Sequence, residues 1–100
     1  MLYVIVAEDA PESSAKRAAV RAAHYERMTE MQQAGRLVIS GPCPAIDSAD
    51  PGPAGFSGSV IIAEFDSLES AKAWIAEDPY VTTGVFSRVT VKPFRKGFPR

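Results

Sequence analysis

The runs LYVIVA at residues 2–7 and VIIA at residues 60–63 are apolar or aromatic at every position. Side chains alternate between the faces of a strand, so neither run leaves a face for water, and each predicts a strand covered on both sides. Any fold for this chain must therefore supply two covers for one sheet. The remaining pattern shows where the first cover comes from. Ser13 or Ser14 is placed to cap a helix running roughly to Ala34, and Gly35 supplies its left-handed stop. "RLVISGP" reads as a second strand ended by Gly41 and Pro42, "SVIIAEF" as a third and "VFSRVTVKPF" as a fourth. In the fourth, alternation in its centre sets Phe86, Arg88, Thr90 and Lys92 opposite Val85, Ser87, Val89 and Val91, with one wetter face. "DSLESAKAWIAED" carries Asp66 or Ser67 as a helix cap, places Leu68, Ala71, Trp74 and Ile75 on one side, and ends at Pro79. The stretch "CPAIDSADPGPAGFSG" is too rich in Pro, Gly, Asp and Ser for a regular element and reads as a functional or mobile loop.

The order β-α-β-β-α-β predicts an α+β ferredoxin-like sandwich, with both helices on one face of a four-stranded antiparallel sheet. One hundred residues suffice for one such domain, residues 1–100, and not for two. The other face of the sheet stays apolar and bare, which monomers rarely tolerate. A second copy packed face to face is the simplest cover, giving a homodimer through the sheet. Burying several hundred Å² in that way contributes on the order of 10 kcal/mol before association costs.

Composition narrows the partners. Eleven basic residues against twelve acidic ones leave a formal net charge of −1, without the broad positive field that nucleic-acid binding requires. The opening "MLYVIVAED" has no basic leader and reaches acids after too few apolar residues for a signal peptide or membrane span, so a soluble, cytoplasmic protein is expected. One cysteine, Cys43, and one histidine, His24, are a poor supply for a metal site, and no phosphate cradle, haem or flavin signature is present. Neither metal nor cofactor is expected.

Chemistry is then concentrated in few residues. Helical spacing places Val20, His24, Met28 and Met31 along one stripe, so His24 shares a largely apolar, partly buried face. It reads either as a core histidine satisfied by one hydrogen bond or as a general acid or base. Asp78 precedes Pro79 and reads either as a turn residue or as a functional acid. At a helix C-terminus it would face the negative end of the dipole, where a cation such as His24 or Arg21 would stabilise it. Arg17 and Arg21 read as solvated charges or as ligands for a carboxylate or phenolate. Ser40 and Ser59 lie near strand ends as structural residues or as hydrogen-bond donors to a ligand, and Cys43 reads as packing or, were its thiol made more acidic, as a nucleophile, although no cationic neighbour is visible in sequence. Tyr3, Tyr25, Tyr80 and Phe86 could line an apolar pocket for a flat ligand, although aromatics are more often core. The loop from Pro44 to Gly58 reads as a lid or a dimer-packing arm, and the basic tail "KPFRKGFPR" as a segment that touches phosphate or, given Phe94 and Phe98, docks on a partner subunit.

Taken together, "MLYVIVAED", "KRAAVRAAHYERM", "GRLVISGPCPAIDS", "GFSGSVIIAEFDSLESAKAWIAEDPY" and "VKPF" resemble the YciI-like family over nearly the whole chain. The resemblance implies a ferredoxin-like fold pairing as a dimeric α/β barrel, with a histidine and aspartate pair, here His24 and Asp78, as active site. It also implies dehydrochlorination or similar lyase-type steps on hydroxylated aromatic compounds. The leading expectation is thus a cofactor-independent lyase or isomerase that moves protons on a small cyclic or aromatic compound. His24 would be acid or base, Asp78 would orient it, and Arg17, Arg21, Ser59 and Tyr80 would hold the substrate. The alternative is a non-catalytic dimeric small-molecule sensor or accessory module. A haem-degrading or quinol oxygenase ranks third, by fold analogy alone.

Overall fold

The computed structural model describes residues 1–100. Strands β1 (Leu2–Asp9), β2 (Leu37–Pro44), β3 (Phe56–Glu64) and β4 (Phe86–Phe94) alternate with helices α1 (Ser14–Gln33), α2 (Leu68–Ala76) and a short α3 (Pro79–Thr82). The strands form one sheet in the order β2-β3-β1-β4, with every neighbouring pair antiparallel. This is the expected ferredoxin-like α+β fold. Alternation along the two central strands builds the core: Tyr3, Ile5 and Ala7 of β1 and Ile61 and Ala63 of β3 are buried. They join Met28 and Met31 of α1, Ala71 and Ile75 of α2, and Phe65, Tyr80, Val85 and Phe86 in one cluster. Each fully buried large aliphatic side chain contributes about 1.5–3 kcal/mol, so the helices are held to the sheet mainly by this layer.

Helix ends follow local chemistry. Gly35 adopts φ 71°, and the Gly35 and Arg36 amides donate back to Gln32 and Met31, which closes α1 as its sequence predicts. Ser67 and Ser70 cap α2 reciprocally, at 3.0 Å in both directions. Ser13 occupies the N-cap position of α1 without a side-chain cap bond, so neither serine caps that helix through its hydroxyl.

Three boundaries differ from expectation. The second helix ends at Ala76, before the proline, and Pro79 instead opens α3 at its first position, where a missing amide hydrogen costs nothing. Strands β2 and β3 extend to Pro44 and from Phe56, so the irregular stretch shrinks to residues 45–55 and contains a 3-10 turn, Gly52–Ala54. Pro42 and Pro44 are tolerated because β2 is an edge strand. In β4, Glu8 of β1 pairs with Arg88 but Asp9 pairs with Phe86, leaving Ser87 as an extra residue. That bulge reverses the alternation, and Phe86 joins the core on the side of Val89 and Val91.

No helix of the chain covers the second face of the sheet. Register places Val4 beside Ile62, Val6 beside Val60, and Ile39 beside Ile62 on that face. Val6 and Ile39 are 43% and 61% exposed. No helix is long and apolar enough to cross a membrane.

Candidate active site

The buried line of α1 consists of Arg17, His24, Met28 and Met31, with Val20 packed against the core. His24 therefore points toward the layer between helix and sheet, where α3 delivers Asp78. Its Nδ1 lies 3.0 Å from both carboxylate oxygens of Asp78. Asp78 is itself the N-cap of α3: Oδ1 accepts the Tyr80 amide at 2.9 Å. The acid thus stands at the positive end of a short helix, and the unfavourable helix C-terminus inferred from sequence does not arise. Arg27, one turn after His24, donates from Nη1 to Asp78 Oδ2 at 3.0 Å and from Nη2 to the Trp74 carbonyl at 2.6 Å. Its guanidinium lies over the Trp74 ring, 4.3 Å from the centroid.

Asp78 is 0% exposed. Burial alone would push its carboxyl up, but hydrogen bonds from His24 and the Tyr80 amide, with the charges of His24 and Arg27, outweigh it and hold the carboxyl below its ordinary range. An ionised carboxylate only accepts, so Nδ1 carries the proton of the pair. Nε2 has no hydrogen-bond partner within the chain and is not sealed from solvent. His24 lines a cleft of about 210 Å³ between α1 and the β2–β3 edge of the sheet.

Arg17 and Ser59 line the same cleft, with Tyr25, Met28, Ser40, Gly41, Pro42 and Ile61. Far from being solvated, Arg17 is buried. It donates to Asp9 from Nε at 3.0 Å and Nη2 at 3.1 Å, and Nη2 also reaches the Gly58 carbonyl at 3.2 Å and Ser59 Oγ at 3.0 Å. The guanidinium carbon sits 4.8 Å from the Tyr80 ring centroid and 5.3 Å from that of Phe56. Tyr80 lies against the imidazole rather than on the cleft wall, and its buried hydroxyl has no hydrogen-bond partner. Burial pushes the Tyr80 phenol up, against the opposing pull of Arg17 and Arg21. Arg21 is exposed and does not line the cleft. The structure thus brings His24 and Asp78 together, sets Arg17 and Ser59 on the same cavity, and leaves Arg21 and Tyr80 beside it.

Arg27 and Asp9 were not singled out from sequence. Arg27 carries a legible signal, standing three residues after His24 on one helix face. Asp9 had none beyond its place at the end of β1. No three His, Cys, Asp or Glu side chains converge to hold a metal ion. What the arrangement can do is accept or deliver a proton at Nε2, because the buried carboxylate fixes the tautomer and ring orientation.

Fold and site define a ferredoxin-like α+β domain with a buried His–Asp–Arg cluster beside a small cleft. The model of the YCII-related domain matches residues 1–95, and the chain belongs to that family. Protein YciI of Escherichia coli is 56% identical over 98 residues, covering 98% of this chain and 100% of that protein. Fusaric acid biosynthesis protein 2 of Gibberella moniliformis is 30% identical over 95 residues, covering 93% of this chain and 91% of that protein. Among solved structures, the 5-chloro-2-hydroxyhydroquinone dehydrochlorinase of Burkholderia phenoliruptrix, in complex with 2,5-dihydroxybenzoquinone, superimposes with a TM-score of 0.85 at 23% identity. The match covers 97% of this chain and 96% of that one, and it establishes likeness of fold.

Proposed function

We propose that this chain is a cofactor-independent enzyme of lyase or isomerase type, acting on a small cyclic or aromatic compound by proton transfer through His24. The observation that carries this reading is the pairing of His24 Nδ1 with the fully buried Asp78 while Nε2 stays unpartnered at a cleft. Nε2 takes a proton from an acidic C–H or O–H of the ring, and the electron pair left behind either expels a leaving group such as chloride or relocates before reprotonation. Asp78 stabilises the imidazolium formed in between, and Arg27 keeps that carboxylate in place. No serine or cysteine nucleophile is required. The fold likeness to a dehydrochlorinase and the relationship to a fusaric acid biosynthesis protein support a role on small molecules of this kind.

The working unit is a homodimer formed through the bare sheet face, on which Val4, Val6, Val60, Ile62 and Ile39 stand. His24→Asn and Asp78→Asn test the catalytic reading. Both variants are expected to retain the far-ultraviolet dichroism of the wild type and to lose dehydrochlorination of a chlorinated hydroxyhydroquinone, with 2,5-dihydroxybenzoquinone as the binding probe. Unfolding of both variants would make the pair structural. The cleft also suits a small-molecule sensor or accessory module, and tight binding with the compound recovered unchanged would favour it.

A further inference from the structure

Apart from His24, whose Nε2 accepts, every charged or polar side chain on the wall of the cleft offers a hydrogen to a ligand, and none of the nine lining residues is acidic. The acids lie one layer back, Asp9 behind Arg17 and Asp78 behind His24. Arg17 uses Nε and Nη2 on Asp9, Gly58 and Ser59, whereas Nη1 and its two N–H groups have no acceptor in the chain and are not sealed from solvent. Ser59 Oγ accepts from Arg17, which leaves its own hydrogen free for another acceptor. Asp9 fixes the guanidinium in a bidentate grip and the aromatic rings of Tyr80 and Phe56 hold its face, so these donors are preorganised.

We propose that Arg17 and Ser59 form an oxyanion subsite facing His24, and that the cleft takes a monocyclic compound bearing an ionised oxygen, a phenolate or enolate. The catalytic half of this inference rests on His24 as proton carrier; the anion preference does not. Arg17 and His24 both lie against the Tyr80 ring, whose centroid is 4.8 Å from the guanidinium carbon and 4.1 Å from the imidazole centroid, so a single substituted ring reaches both, with its oxygen at one end and its reacting position at the other. A volume of about 210 Å³ is below the ~300 Å³ and more of sites for drug-sized ligands, which selects one ring rather than two. Met28 and Ile61 supply the apolar walls. When Nε2 removes a proton from an sp3 ring carbon conjugated to a neutral ring carbonyl, the electron pair moves onto that carbonyl oxygen, and the enolate or phenolate so formed is the ionised oxygen that Arg17 Nη1 and the Ser59 hydroxyl hold. Return of the proton from Nε2 to a different ring position completes an isomerisation with no outside reactant.

The test is calorimetric titration of wild type, Arg17→Lys, Ser59→Ala and His24→Asn with two matched pairs. These are 4-nitrophenolate against 4-nitroanisole, and benzoate against benzamide, above the ionisation of each acid. Wild type and His24→Asn are expected to bind the 4-nitrophenolate anion at least tenfold more tightly than its neutral partner. Ser59→Ala should lose severalfold of that preference and Arg17→Lys most of it. Should Arg17→Lys fail to fold, Ser59→Ala carries the comparison. Equal affinity for 4-nitrophenolate and 4-nitroanisole, no binding of either anion, or a preference unchanged in folded Ser59→Ala and Arg17→Lys would overturn the subsite. Tighter binding of benzoate than of 4-nitrophenolate would overturn the assignment to a phenolate or enolate. If Arg17 governs the preference while His24→Asn turns substrate over as wild type does, the subsite stands and the proton-transfer reading falls.

Discussion

The imidazole of His24 stacks on the ring of Tyr80 with centroids 4.1 Å apart and planes 17° from parallel. Two residues before Tyr80 in sequence stands the carboxylate that binds the same imidazole. One four-residue helix and its N-cap residue therefore fix both the plane and the tautomer of the histidine, and substitutions in them act on the site through His24.

Tyr80 gives the first prediction. Its hydroxyl is buried without a partner, so Tyr80→Phe keeps the ring stack and removes an unsatisfied group, a change worth about 1 kcal/mol of stability at neutral pH. Burial raises the phenol above 10.0, so above that pH the folded state holds a proton that the unfolded state has lost. Stability of the wild type relative to Tyr80→Phe then falls as pH rises past 10.0. Urea unfolding at neutral and alkaline pH reads both effects. A Tyr80→Phe variant less stable than wild type at neutral pH would contradict them.

Asp78 gives the opposite sign. Its folded-state pKa lies below the ordinary 3.8, so the unfolded chain takes up the proton first on acidification. The stabilisation from Asp78 is fully present above 3.8 and is lost as pH falls through the lower folded value. Asp78→Asn leaves Arg27 and His24 without their shared anion and costs about 3 kcal/mol at neutral pH. The gap between wild type and Asp78→Asn in urea midpoints should close as pH falls below 3.8. A gap that stays open at strongly acid pH would show that the carboxylate charge is not what stabilises the site.

Much of this arrangement was legible from spacing and some of it was not. The buried face of α1 could be read because Val20, His24, Met28 and Met31 recur at helical intervals. The doubly apolar runs marked β1 and β3, whose side-by-side pairing follows from the fold. Pro79 misled, because the same missing amide that stops a helix also opens one, and only tertiary packing decides that α3 begins there. The bulge at Ser87 escaped for a similar reason: it is dictated by the pairing of Asp9 with Phe86, a relation across strands that the alternation of β4 alone does not contain. Nor could 54 residues of separation announce the meeting of His24 with Asp78; the family resemblance suggested it, and the geometry of α1 against α3 creates it.

Gly58 supports the cleft from the sheet. A Cβ there would collide with the Ala7 carbonyl oxygen on the neighbouring strand, backbone that cannot yield as a flexible side chain would. The Gly58 carbonyl also accepts from Arg17. Gly58→Ala is expected to cost about 2 kcal/mol or more by forcing β1 from β3, and to weaken the seat of Arg17. Thermal unfolding checks the first effect. A variant with wild-type stability would show that the strands separate without cost.

The apolar outer face yields the last prediction. Val6 lies at the centre of the sheet on β1, flanked by Val60 of β3 and Thr90 of β4, and is 43% exposed in the isolated chain. Ile62 sits on the same face between Val4 and Ile39. If this face packs against its copy, twofold symmetry introduces a charge placed at either position twice, and it is desolvated twice. Val6→Lys or Ile62→Lys should therefore convert a wild-type dimer to monomer at micromolar concentration, as read by sedimentation equilibrium. Helical dichroism should be unchanged, because neither side chain contributes to the core beneath the helices. Association costs on the order of 4–15 kcal/mol, comparable to what several hundred Å² of buried apolar surface returns at about 25 cal/mol per Å², so the balance is narrow enough for one lysine to tip it. A wild-type chain that sediments as a monomer at that concentration would rule out the sheet-face dimer and require some other cover for these residues.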